Sequence, residues 1–66
     1  MVELTPNNLR YLMKEKGVKV IDVADALNIS LESTYPKIRE NRFSIEQVRQ
    51  LGRLLNEDFI IKRNED

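Results

Sequence analysis

The sequence predicts an all-α fold, a compact bundle of four to five short helices forming one domain over residues 1–66. Three observations carry this. Apolar residues recur at helical spacing, Leu9, Leu12 and Met13 in one window and Ile45, Val48, Leu51, Leu54 and Leu55 in another. Start and stop signals punctuate the chain at short intervals, at Thr5-Pro6, Gly17, Asn28, Ser30, Ser44 and Asn56. The central stretch from Val20 to Ile38, VIDVADALNISLESTYPKI, reads as two short helices around a tight turn.

Met1 to Leu4 is a short lead. Thr5 caps a first helix, and Pro6 takes its first position, where the missing N–H costs nothing. Lys14 and Lys16 suit the negative end of this helix and Gly17 stops it, giving a span of 6–16. Tyr11 lies off the apolar stripe and is either a half-buried helix residue or a contact for phosphate or a partner. Val18-Lys19 bridges to a second helix over 20–27, with Val18 anchoring the linker in the core. Asp22 stands at the positive start of this helix. Asp22 and Asp25 fit a solvated outer face and would repel a phosphate backbone if turned toward it.

Val23, Ala24 and Leu27 share one face of the second helix, and Asn28-Ile29-Ser30 breaks it. Asn28 stands where the turn requires a left-handed residue. Ile29 plugs the corner and Ser30 caps the next helix. The small Ala24 allows a close crossing by that helix, placed at 31–40, whose inner side is marked by Thr34 and Ile38. This is the geometry of a helix-turn-helix, whose second helix can be offered to a DNA major groove. Pro36 removes a backbone hydrogen bond and disfavours a helical Tyr35, at a cost of ~3 kcal/mol in a regular helix interior. Either the helix kinks or is irregular there, or a shorter helix begins at Pro36. The Thr34–Ile38 spacing favours the first.

The segment FSIEQV is the clearest local signal. Ser44 and Gln47 form a capping box, and Phe43 and Val48 form a hydrophobic staple. The fourth helix follows at 45–55. Gly52 in its middle costs ~1 kcal/mol against Ala, and a close helix contact is one reason for it. Arg49 and Arg53 share its outer face, where they repel mildly. Asn56-Glu57-Asp58 ends it. Phe59-Ile60-Ile61 is too apolar to leave in water. It either folds back as a short helix or pairs with a second copy of the chain as a β-strand. The charged end, 61–66, is expected to fray.

Composition excludes several classes of function. A chain of 66 residues buries only ~60% of its unfolded surface, so its margin of stability is thin. Cysteine and histidine are absent, which removes disulfides, the usual zinc ligands, the commonest general base and the best thiol nucleophile. The sequence offers no Gly-rich phosphate loop and no nucleophile paired with a base, and so small a helical domain leaves little room for a substrate cavity. No enzyme, cofactor, metal site or small-molecule substrate is expected. The longest apolar run, Phe59-Ile60-Ile61, cannot span a membrane, and no signal peptide is visible in MVELTPNN, so a cytoplasmic location is expected. Eleven basic and eleven acidic residues give zero formal net charge. DNA-binding domains gain much of their affinity by neutralising phosphates, so a neutral chain must gather its cations on one face.

From Asn7-Asn8-Leu9 through the central turn to IRENRFSIEQ, the chain resembles the lambda-repressor-like helix-turn-helix family of phage Cro and repressor proteins and their bacterial relatives. The likeness covers roughly residues 6–56, most of the chain. Three positions depart from the pattern. Val20 stands where the family usually has a Gln that touches DNA, Thr34 where it has a buried Val or Ile, and Pro36 falls inside the recognition helix. The resemblance implies a sequence-specific transcriptional regulator that acts as a dimer by occupying a double-stranded operator. It places Leu31, Glu32, Ser33 and Lys37 at base edges, beside the capping Ser30, and Lys19, Arg39, Asn41 and Arg42 at the backbone, with the N-terminus of the second helix adding its dipole. It also implies dimerisation through the C-terminal segment, Phe59, Ile60 and Ile61. Zero net charge, Val20, Glu32 and Pro36 suit a second reading, in which the same fold binds a repressor protein through a patch of Leu31, Tyr35 and Pro36.

Overall fold

The computed structural model describes residues 1–62. Its order is β1 (Val2–Glu3), α1 (Pro6–Lys16), α2 (Val20–Leu27), α3 (Leu31–Glu40), α4 (Ile45–Leu55) and β2 (Phe59–Ile60). All four helices have the bounds that their caps predict. Each start has a polar group that satisfies a free N–H. Thr5 Oγ1 accepts from the Asn8 N–H at 3.1 Å, and Ser30 Oγ accepts from the Ser33 N–H at 3.1 Å. Ser44 and Gln47 cap each other reciprocally, at 3.2 and 3.0 Å. Each end is a left-handed residue, Gly17 at φ 66°, Asn28 and Asn41 at 56° and Asn56 at 53°. Asparagine tolerates this region better than most side chains, so it terminates three of the helices.

Helices α2 and α3 are joined by Asn28-Ile29-Ser30 and pack on each other, while α4 lies against α1 and α2. The Ile29 N–H donates to the Ala24 carbonyl at 3.1 Å, which closes the turn, and Ile29 is half-buried against the core. Pro36 neither ends α3 nor starts it, since the helix runs unbroken from Leu31 to Glu40. The bond that Pro36 removes is the one to the Glu32 carbonyl, on an exposed residue that water can serve.

The ends of the chain depart from the all-α expectation. Strands β1 and β2 form a two-stranded parallel sheet, with Val2 opposite Phe59 and Glu3 opposite Ile60. The Val2 N–H donates to the Asp58 carbonyl at 2.9 Å and the Leu4 N–H to the Ile60 carbonyl at 2.8 Å. Met1 to Leu4 is therefore more than a lead, and Leu4 belongs to the core at 4% exposure. Phe59-Ile60 forms a strand, as one of the two expected alternatives has it, and no short helix. It pairs with the protein's own N-terminus, which satisfies the same backbone groups within one molecule. The fraying expected over 61–66 falls mostly on residues 63–66, outside the described residues.

The core gathers Leu9, Leu12, Met13, Val23, Leu27, Ile38, Phe43, Val48, Leu51 and Leu55 around α4. Thr34 is fully buried among them and its hydroxyl donates to the Ser30 carbonyl at 2.8 Å, so a polar side chain serves where an aliphatic one would fit. Ile45, expected in the apolar stripe of α4, is 61% exposed. It occupies the first helical position, where the helix has only begun to approach the core. Lys16, at the end of α1, donates through Nζ to the Leu55 carbonyl and lies 3.9 Å from the Glu57 carboxylate, tying the ends of α1 and α4 together.

Gly52 has a local reason. The Glu57 N–H donates to the Gly52 carbonyl at 2.9 Å, and a β-carbon at Gly52 would stand 2.7 Å from the Glu57 carbonyl oxygen. That atom is backbone held by the helix cap and cannot turn aside. Gly52→Ala is expected to lower stability by about 1–2 kcal/mol, despite the ~1 kcal/mol that alanine gains in helix propensity. Urea denaturation of the variant measures it, and a stabilised variant would show that the cap yields freely.

Candidate nucleic-acid interface

Thr34 and Ile38 bury the inner face of α3, which turns Leu31, Glu32, Ser33, Tyr35 and Arg39 outward. Lys37 and Pro36 are half-buried beside them. Seven of the nine residues expected at DNA, Leu31, Glu32, Ser33, Lys37, Arg39, Asn41 and Arg42, thus lie along α3 or just past it and keep accessible surface. Ser30 is engaged in capping. Its hydroxyl accepts from the Ser33 N–H and donates to Ser33 Oγ at 2.8 Å, leaving Ser33 as the serine with a free hydroxyl proton.

The basic end of α3 is organised by Glu40, a residue not among those expected at the site. Its carboxylate receives Arg42 Nε at 3.1 Å and Arg39 Nη2 at 3.5 Å. Lys37 Nζ reaches the Arg42 carbonyl at 3.3 Å. The two arginine side chains remain 63% and 79% exposed, so these pairs are worth at most ~1 kcal/mol each and a phosphate can displace them. Meanwhile Glu40 holds both guanidiniums at the same end of the helix. The signal for this is present in the sequence as a Glu between two Arg, R-E-N-R.

Two of the expected contacts also have partners within the protein. Asn41 is the left-handed cap of α3, and its Nδ2 donates to the Leu4 carbonyl at 2.9 Å, so its amide ties the end of α3 to the residue that follows β1. Asn41→Gly keeps the backbone conformation and deletes that bond. It is expected to cost about 1 kcal/mol in thermal or urea unfolding while leaving any ligand affinity of the α3 face unchanged. The start of α2, expected to lend its dipole to a phosphate, carries an acidic side chain of its own. There the Lys19 N–H donates to the Asp22 carboxylate at 2.8 Å, which sets a negative charge beside the helix start. Lys19 itself is exposed and, among the described residues, has no ion-pair partner.

The face also carries apolar surface. Leu31 is 37%, Tyr35 52% and Ile21, on α2, 54% exposed. At the other end of the molecule Phe59 and Ile61 are half-buried against the core and Ile60 is 38% exposed, so Ile60 presents most of the accessible surface of that segment. A surface depression of about 560 Å³ lies between α4 and β2 and is lined by residues that include Arg49, Arg53, Glu57 and Phe59. Among the described residues no cluster of acidic side chains could hold a metal ion, and no helix is long and apolar enough to cross a membrane. Comparison of the chain with models of protein families, with curated proteins and with solved structures finds no match.

Proposed function

We propose that this protein is a sequence-specific DNA-binding transcriptional regulator of the Cro/repressor type, with α2 and α3 as a helix-turn-helix and α3 as its recognition helix. The observation that carries the reading is the arrangement of α3. It is anchored by Thr34 and Ile38, closed at one end by the Ser30 cap, and presents Lys37, Arg39 and Arg42 together at the other. An α-helix is about 10–12 Å across with its side chains, which fits a major groove about 12 Å wide. In this reading Leu31 meets a thymine methyl, Glu32 a cytosine amino group, and Ser33 and Lys37 the remaining base edges. Lys19, Arg39 and Arg42 take phosphates and fix the register.

A dimer sets two copies of α3 in successive major grooves, about 34 Å apart, and blocks polymerase by occupancy in the cytoplasm. Phe59, Ile60 and Ile61 are the proposed contact between copies, with Ile60 the side chain least used by the fold. The phage-repressor likeness of residues 6–56 supports this assignment, and regulation then follows protein concentration.

A second reading is favoured by one observation, the accessible surface of Leu31, Tyr35 and Pro36 along the outer side of α3. On that reading the face docks a repressor protein. Titration with random-sequence duplex DNA across a salt series separates the two. Binding that weakens steeply with salt supports the DNA reading. Absence of binding at low salt refutes it and leaves the protein-partner reading.

A further inference from the structure

A crevice of about 230 Å³ opens between α1, α2 and α3. Met13, Val20 and Ile38 form its apolar part, and Arg10, Tyr35 and Arg39 its polar part. Arg10 is exposed on α1, and among the described residues it has no ion-pair partner. Arg39 is held only by the exposed contact to Glu40 at 3.5 Å. Tyr35 is 52% exposed, with its hydroxyl free to donate. No acidic side chain lines the crevice. Two guanidiniums and a phenol around an apolar floor form a site for one anion that is small, multidentate and shared between donors.

We propose that this crevice clamps a single backbone phosphodiester of the DNA that α3 reads, through Arg10, Arg39 and Tyr35. The inference rests on the DNA reading above and extends its footprint to α1. It also gives Val20 a place. The Val20 side chain forms part of the apolar floor and cannot bond a phosphate, and the Asp22 carboxylate stands on the Lys19 N–H nearby. Arg10 on α1 and Arg39 on α3 flank Val20 and supply the anion contact from either side.

The test is a salt series on duplex DNA with wild type, Arg10→Ala, Arg10→Lys, Tyr35→Phe and, as a control for the lost charge, Arg53→Ala on α4. Arg10→Ala is expected to reduce the slope of log affinity against log salt by about 0.9, the loss of one phosphate contact, and to weaken binding about tenfold at low salt. Arg10→Lys restores most of the slope and Tyr35→Phe keeps it, while Arg53→Ala leaves slope and affinity near wild type. Alanine is the best helix former and Arg10 is exposed, so folding is retained, and circular dichroism checks it. Wild-type binding with an unchanged slope in Arg10→Ala overturns the clamp and leaves the DNA reading standing. Absence of wild-type binding overturns both. Side-chain NMR shifts at Arg10 and Arg39 on adding poly-glutamate, with none on adding duplex, overturn the clamp in favour of an acidic protein segment.

Discussion

Leu51→Ala is expected to cost about 2–5 kcal/mol and to unfold a measurable fraction of the protein at 25 °C. Leu51 has 0% exposure and lies in the middle of α4, the helix around which the core gathers. Removing its isobutyl group forfeits transfer energy and leaves a cavity. The surroundings cannot close over it, because α4 is fixed at its start by the Ser44–Gln47 box and at its end by Lys16 and the Asn56 cap. Native domains are stable by only about 5–15 kcal/mol, and so short a chain sits at the low end of that range. In urea the midpoint falls by about 2 M or more with an unchanged slope. Ile45→Ala is the matched control. It belongs to the same stripe by spacing but is 61% exposed, and it is expected to change stability by less than ~0.5 kcal/mol. Equal effects at the two positions would contradict the placement of the core.

The second large effect is on binding. Replacing Lys37, Arg39 and Arg42 together by alanine is expected to abolish DNA affinity at physiological salt and to lower the salt slope by about 2–3. The three side chains share one end of α3, and each has its charge at or near the surface. The substitution also leaves Glu40 without its two partners, so an uncompensated anion then faces the phosphates. Glu40→Gln separates the contributions. On its own it frees Arg39 and Arg42 and is expected to strengthen non-specific binding a few fold at low salt. An electrophoretic or anisotropy titration reads both variants. Retention of binding in the triple variant would show that α3 is not the reading surface.

The helices are legible in the sequence because their information is local. Thr5-Pro6, Gly17, Asn28, Ser30 and the Ser44–Gln47 box each act within a few residues, so the four spans follow from the sequence to the residue. Pro36 is legible in its cost and less so in its outcome, since burial of Thr34 and Ile38 carries the helix through it. The small sheet is not legible. Two-residue strands have no period to recognise, and their pairing joins the two ends of the chain, which no short window contains. The same holds for Leu4, which reads as part of a lead and is core, and for Ile45, which reads as core and is surface.

At the candidate site, the residues along α3 can be placed from the turn alone. The Asn41 amide cannot, because its partner is the Leu4 carbonyl, just past a strand that the sequence does not announce. Arg10 escapes sequence reasoning for a similar reason. It stands on α1 and comes beside Tyr35 and Arg39 only through the packing of α1 on α3. The acidic start of α2 is partly visible, since Asp22 stands where a carboxylate can fold back to the Lys19 N–H.

Whether α3 of this neutral protein presents its cations to DNA is tested most directly by one titration. It measures the affinity of the wild-type chain for random-sequence duplex DNA from low to physiological salt. A recognition helix with Lys37, Arg39 and Arg42 at one end predicts binding at low salt. The slope of log affinity against log salt is then about −3 or steeper, as expected when several phosphates are neutralised. No binding at the lowest salt, or binding that does not respond to salt, would contradict it.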